Sequence, residues 1–82
     1  MEFNEYQKIA RSTAVYPEEY KVVYPALGLC GEAGEVADKI KKTVRGDRPL
    51  EEVTGNIADE LGDVLWYLAI LADDLEVDLE DI

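Results

Sequence analysis

Apolar and polar residues alternate with a helical period along most of the chain, and short segments with proline or glycine interrupt this pattern. Over residues 2–13, apolar side chains recur on one side of a helix, at Phe3, Tyr6 and Ile9. The following segment, "VYPEEYKVVYP", contains two prolines, which disfavour a continuous helix. The pattern therefore predicts a first helix that ends before Pro17.

A second helix is predicted from Pro25 to Val44. Proline suits the first turn of a helix because its missing N–H has no partner there. The helical pattern stops at "RGDRP", where Gly46 can adopt the left-handed conformation that commonly closes a helix. We therefore expect this helix to be long and to end just before Gly46.

The third predicted helix has Thr54 or Asn56 as its N-cap and continues to about Leu75. Asp78 can cap a fourth helix, of which "VDLEDI" forms only the first turn, so we expect the domain to continue beyond residue 82. No segment has the pattern of a strand. The prediction is an all-α fold, an antiparallel bundle of three to four helices in one domain over residues 1–82.

The length of the chain limits the size of the core. A domain of 82 residues buries a modest fraction of its surface, and small helical chains often complete their cores by self-association. We therefore expect a homo-oligomer.

The charge of the chain restricts its partners. Nineteen acids and eight bases give a net charge of −11, which argues against a surface for nucleic acid or anionic membrane. A single cysteine, Cys30, cannot form an internal disulfide, and with apolar neighbours and no histidine in the chain it is expected to be structural. With no signal peptide or membrane-spanning stretch, these features favour a cytoplasmic protein.

Four charged residues of the second helix share one face. On a helical wheel with Glu32 at zero, Glu35 lies at about 300°, Lys39 at about 340° and Lys42 at about 280°. The apolar residues form a separate face. The spacing alone is also common on solvated helices, and the lysines could simply form salt bridges with the acids.

The third helix repeats the acid spacing in a more apolar setting. Glu60, Asp63 and Tyr67 lie on one side of it, and the remaining positions are apolar nearly all round, which is typical of a buried helix. Buried carboxylates need a cation or a proton. Two acid pairs on adjacent antiparallel helices can face each other and bind a hard cation, for which Mg²⁺ is the first choice and Mn²⁺ the second. Tyr67 is either a core aromatic or a contact for a sugar or base.

Glycines lie close to the first acid pair although they weaken a helix. Gly28 and Gly31 flank the acidic face, and Gly34 lies further round. We expect these small residues either to leave space for metal and phosphate or to let a neighbouring helix approach.

The two acidic segments together resemble the MazG-like nucleotide pyrophosphohydrolases of the all-α NTP pyrophosphatase superfamily. The matching segments are "LGLCGEAGEVADKIKK" and "DELGDVLWYLAIL", and "NEYQKIA" is similar to the first helix of that family. The family pattern E-x-x-E, spacer, E-x-x-D corresponds here to Glu32 and Glu35, then 24 residues (36–59), then Glu60 and Asp63. Many members have a further glutamate where this chain has Gly31.

The resemblance implies an activity and a role for each residue. Members hydrolyse nucleoside triphosphates between the α and β phosphates, giving a monophosphate and pyrophosphate, and are homodimers or homotetramers. By resemblance, the four acids would bind Mg²⁺, with Glu32 or Glu35 as the candidate general base. The substrate-binding residues would be Lys39 and Lys42, which contact phosphate, and Tyr67, near the nucleoside.

Two alternatives remain at this level. Pyrophosphatases for dUTP and dCTP, and the phosphoribosyl-ATP pyrophosphohydrolase, belong to the same superfamily and use the same kind of carboxylates. A non-catalytic helical dimerisation module, whose acids are structural, would require no substrate. The sequence does not identify the base or sugar of a nucleotide substrate. A house-cleaning enzyme that removes non-canonical nucleotides is therefore among the expected activities.

Overall fold

The computed structural model describes all residues, 1–82, and is entirely helical. Its three long helices are α1 (Phe3–Thr13), α2 (Val23–Val44) and α3 (Leu50–Asp74). Two short 3₁₀ turns, Glu18–Tyr20 and Leu79–Asp81, follow α1 and α3. The predicted all-α class is confirmed, and the expected fourth helix is present only as the 3₁₀ turn after Asp78.

The central element is α3, because it contacts α2 along its length and also packs against α1 and the C-terminal 3₁₀ turn. The helices α2 and α3 are antiparallel: Gly28 lies on Tyr67, while Lys39, further along α2, reaches back to Glu60. The molecule measures 42 × 30 × 21 Å. None of its helices is both long enough and apolar enough to cross a membrane.

The start of α3 differs from the sequence prediction. The helix begins at Leu50, with Pro49 at the N-cap position, so Thr54 and Asn56 lie inside it. The Thr54 hydroxyl donates to the backbone carbonyl of Leu50 one turn earlier instead of capping the helix. Proline before a helix and acids in its first turn, here Glu51 and Glu52, were sufficient to predict the earlier start.

The end of α2 follows the prediction for Gly46. This glycine has φ +85°, its N–H donates to the Thr43 carbonyl, and the N–H of Asp47 donates to the Lys42 carbonyl. These two bonds form a Schellman motif, in which a left-handed residue satisfies the last carbonyls of a helix. The turn directs the chain back along α2, so that α3 can pair with it.

The buried core is small and lies where α1 crosses the second half of α3. Only 9 of 82 residues are buried, and the main apolar cluster contains Ala10, Ala69, Ile70 and Leu79. Trp66 packs against this cluster, and its Nε1–H donates to the Thr13 hydroxyl at 3.0 Å. Trp66 thus joins α3 to the end of α1 by packing and by a hydrogen bond.

Away from this cluster, the α2–α3 hairpin leaves several apolar side chains in solvent. Leu27, Ile40 and Leu61 are exposed, so α3 is not buried on all sides as its apolar pattern suggested. Cys30, expected to be structural, is exposed in the single chain. In the isolated chain there is no third layer to cover this part of the hairpin.

A buried carboxylate connects the three helices. Asp74, at the end of α3, accepts hydrogen bonds from the Arg11 guanidinium, from the Tyr16 hydroxyl at 2.6 Å and from the Val22 N–H at 2.8 Å. Burial alone would raise the pKa of Asp74, but these hydrogen bonds and the Arg11 charge lower it below its ordinary value. Val22 has φ +69°, and its bond to Asp74 holds this unfavourable conformation at the start of α2.

Substitution of Asp74 tests how much these hydrogen bonds contribute to the stability of the fold. The Asp74 side chain is 2% exposed, so Asp74→Ala leaves three donors without their acceptor and is expected to destabilise the chain by about 2–4 kcal/mol. Asp73, which also binds Arg11, is 40% exposed, so Asp73→Ala should cost about 1 kcal/mol or less. Urea unfolding of both variants provides the measurement, and equal losses would contradict the special role of Asp74.

Candidate metal and substrate site

Three carboxylates meet between α2 and α3. Glu60 and Asp63 are one turn apart on α3, and Glu32 faces them from α2. One carboxylate oxygen from each of the three lies within 4.8 Å of the other two. We call Glu32, Glu60 and Asp63 the carboxylate cluster. The antiparallel pairing of the helices, rather than sequence proximity, brings these groups together.

Glu35, the fourth predicted metal ligand, is not part of the cluster. Its side chain is 58% exposed and lies one turn further along α2, with its Oε2 3.8 Å from the Lys39 Nζ. The structure therefore places three of the four predicted acids together and the fourth beside them.

The two predicted phosphate-binding lysines differ in position. Lys39 lies next to the carboxylate cluster, with its Nζ 3.1 Å from Glu60 Oε1, and both side chains are about four-fifths buried. This hydrogen bond raises the pKa of Lys39, so its positive charge is secure. Lys42 instead pairs with Asp38 at 3.0 Å, away from the cluster.

Glu32 and Glu60 differ in how tightly each binds a proton. The pKa of Glu32 is raised to about 7, first because its carboxyl is hydrogen-bonded to Glu60, and further by burial and by the nearby negative charges. The pKa of Glu60 is lowered by the same hydrogen bond and by Lys39. Because Lys39 favours the anion of Glu60, Glu32 is the more basic acid of this pair.

The donor set fits a hard divalent cation. The cluster offers carboxylate oxygens only, without imidazole or thiolate, and this is the chemistry that Mg²⁺ or Mn²⁺ prefers. Lys39 relieves part of the charge repulsion within the cluster. A cation bound among these oxygens would relieve more of it and would oppose protonation of Glu32.

An aromatic group adjoins the cluster on the side nearer the start of α2. Tyr67 lies over Gly28, with its ring centroid 6.3 Å from that of Tyr24, which in turn stacks on Tyr16 at 5.0 Å. Burial raises the pKa of Tyr67, as do a hydrogen bond with Tyr24 and the charge of the carboxylate cluster. Sequence analysis identified Tyr67 but missed Tyr24, whose only sequence signal is its place one turn before Gly28.

The glycines near the cluster serve different purposes. A Cβ at Gly28 would overlap the Tyr67 ring, so this glycine permits close approach of α3, one of the two roles expected from the sequence. A Cβ added at Gly31 or Gly34 would meet no atom within 4 Å outside the adjacent backbone, so both positions face open space.

A polar cavity of about 290 Å³ adjoins the cluster on its other side, where α2 ends and α3 begins. Its polar lining consists of Glu35, Asp38, Lys39, Lys42, Arg48 and Asn56. Lys39 thus contacts both the cavity and the carboxylate cluster. Sequence analysis did not assign either Arg48 or Asn56 to the site. Arg48 lies in the connection between the helices, which gave no motif, and Asn56 was considered only as an N-cap.

The Gly28 contact predicts opposite effects for two similar substitutions. Gly28→Ala would push the Tyr67 ring out of its place and should destabilise the chain, since the ring packs between α2 and α3. Gly31→Ala meets open space and should stabilise α2 by up to about 1 kcal/mol. Thermal unfolding of both variants measures the difference, and a gain for Gly28→Ala would contradict the described packing.

The raised pKa of Glu32 predicts a dependence of stability on pH. The folded chain binds this proton more tightly than the unfolded chain, whose glutamate has its ordinary pKa of 4.5. Stability from this group is therefore present at low pH and lost as pH rises from about 4.5 through about 7. With EDTA present, the melting temperature of the wild type should fall relative to that of Glu32→Gln over this window. Parallel curves would contradict the raised pKa of Glu32.

Comparison with known proteins identifies a matching family model and a similar phage protein, but no similar solved structure. The family model described as the MazG nucleotide pyrophosphohydrolase domain matches residues 25–82, which include all three acids of the cluster. The chain is 40% identical over 85 residues to the Gene 37 protein of Mycobacterium phage L5, an alignment that covers 94% of this chain and 75% of the relative. No solved structure shows a significant match.

The family match confirms the resemblance on which the sequence analysis relied, and it covers the helices that carry the site. From Pro25 onward, the matched residues include most of α2, the connection and the whole of α3. The chain belongs to the MazG nucleotide pyrophosphohydrolase domain family.

Proposed function

We propose that the chain is a nucleoside triphosphate pyrophosphohydrolase that requires Mg²⁺ and cleaves between the α and β phosphates. The products are a nucleoside monophosphate and pyrophosphate. The observation that carries this proposal is the carboxylate cluster, which lies between an aromatic group on one side and a cation-lined cavity on the other. Family membership supports the same reaction.

Each predicted residue has a role in this reaction. Glu32, Glu60 and Asp63 would hold Mg²⁺, and Glu35 would complete the site from its edge. When bound, the ion would neutralise phosphate charge and acidify a water molecule. Glu35 is our candidate for the group that accepts the proton of that water, since the other three acids form the cluster and Glu35 is exposed beside it.

The remaining predicted residues would orient the nucleotide. Lys39, fixed by Glu60, is close enough to the cluster to neutralise a phosphate bound there. Lys42 can reach a phosphate in the adjacent cavity. Tyr67 offers an aromatic face for the nucleoside, with Tyr24 beside it.

We also propose that the chain acts as a homodimer or homotetramer. The exposed apolar residues of the hairpin, such as Leu27 and Leu61, would be covered by a second copy. The small core of the single chain gives the same reason for self-association.

Product analysis tests the reaction. The wild type should convert nucleoside triphosphates and Mg²⁺ to monophosphate and pyrophosphate, and Asp63→Asn should reduce the rate at least about 100-fold, as expected for loss of a metal ligand. The control is Asp59→Asn, which removes an exposed acid of α3 outside the cluster and should leave the rate unchanged. Release of orthophosphate as the primary product would exclude cleavage between α and β. A panel of canonical, deoxy and damaged nucleotides, with dUTP, dCTP and phosphoribosyl-ATP, identifies the substrate.

The non-catalytic dimerisation module makes a different prediction for the same variants. Millimolar Mg²⁺ should raise the melting temperature of an enzyme with a built cation site, because the ion binds only the folded chain. The double variant Glu35→Gln, Asp63→Asn should lose this rise. If Mg²⁺ does not change the melting temperature of the wild type and no hydrolysis is detected, the non-catalytic module is favoured.

A further inference from the structure

We propose that the cavity at the α2–α3 connection binds the β and γ phosphates of the substrate, and hence the pyrophosphate product, with Arg48 and Asn56 as ligands. This inference rests on the proposed function, and it assigns the leaving group to a defined part of the site. It adds two residues that neither the acid motif nor the carboxylate cluster includes.

The donors of Arg48 and Asn56 are free. Neither side chain forms an ion pair or a hydrogen bond within the chain, although both line the cavity. A guanidinium presents five N–H donors in a planar fork that matches phosphate oxygens, and an amide adds two more. These are the strongest unused hydrogen-bond donors beside the site.

The other charges of the cavity are already engaged with one another. Lys42 pairs with Asp38, which also accepts a bond from Lys41, and Lys39 pairs with Glu60. The lining has three cations against two acids, so it favours an anion although the whole chain is strongly acidic. Arg48 is the cation of this lining that a phosphate can bind without breaking an existing pair.

The cavity is also in the right place for the leaving group. Glu35 and Lys39 line it, and Lys39 contacts Glu60 of the carboxylate cluster at 3.1 Å, so cavity and cluster are continuous. A volume of about 290 Å³ is equivalent to roughly ten water molecules, which leaves room for two phosphate groups with some of their water.

The chemistry of the two sides of the cluster gives the substrate a direction. Val53 is the one apolar residue of the cavity, which contains no aromatic ring on which a base could stack. The tyrosines lie on the opposite side of the cluster. The nucleoside therefore lies toward Tyr67 and the terminal phosphates lie toward Arg48, with the α–β bond at the carboxylates. This arrangement favours triphosphates over diphosphates, because a diphosphate has only one phosphate beyond the scissile bond.

Titration calorimetry with inorganic pyrophosphate and Mg²⁺ tests the cavity without any catalytic step. Arg48→Gln should weaken pyrophosphate binding about tenfold, as expected for loss of a charge-assisted hydrogen bond, and leave binding of a nucleoside monophosphate unchanged. Asn56→Ala should act in the same direction with a smaller effect. The matched control is Arg45→Gln, which removes the same charge from a residue that pairs with Asp47 outside the cavity.

The outcomes separate this inference from the proposed function. Selective loss of pyrophosphate binding in Arg48→Gln, with a reduced preference for triphosphate over diphosphate in kcat/KM, supports it. Wild-type affinity in Arg48→Gln, or an equal loss in Arg45→Gln, overturns it even if the wild type produces monophosphate and pyrophosphate. Absence of hydrolysis in the wild type would reject the proposed function, while the binding measurement would still decide the ligand of the cavity. Unfolding curves confirm that each variant is folded.

Discussion

Repulsion between carboxylates that face each other across α2 and α3 is the constraint on which the site depends. Glu32, Glu60 and Asp63 approach within 4.8 Å, a distance at which three full negative charges would oppose the pairing of the helices. Lys39 compensates one charge, and the hydrogen bond with Glu60, burial and the repulsion that remains raise the pKa of Glu32 to about 7. A cation among these carboxylates would offset the same repulsion.

The groups that keep these carboxylates facing each other lie at the two ends of the hairpin. At one end, the Schellman motif around Gly46 sets the turn between α2 and α3. At the other end, Asp74 accepts hydrogen bonds from Arg11, Tyr16 and Val22, and so connects α1 and the start of α2 to the end of α3. Between them, Gly28 allows Tyr67 to lie flat between the helices. The site therefore needs little apolar core of its own.

The sequence was sufficient for the number of long helices and for the shared faces of the acids, because both follow from the 3.6-residue period. It placed the start of α3 too late. It was insufficient for the difference between Glu35 and the other acids, since an angle on a wheel does not give the distance to the opposite helix. The buried Asp74 was not found for a similar reason: its partners, Arg11, Tyr16 and Val22, are 52 or more residues away in the chain. Arg48 lies in a connection without periodicity, so only its place in the cavity distinguishes it.

The central position of α3 has a thermodynamic consequence. Because α1 and α2 make their main contacts with α3 rather than with each other, one helix carries the acids Glu60 and Asp63 near its middle and the anchor for α1 at its end. A cation that binds only the folded helix would also stabilise the elements packed against it. This coupling is reciprocal. If docking of α1 and binding of a cation both require an ordered α3, the interactions that hold α1 in place would also increase the affinity of the acids for the cation. Arg11, which contacts no residue of the carboxylate cluster, would in this sense contribute to the energetics of a cation bound there.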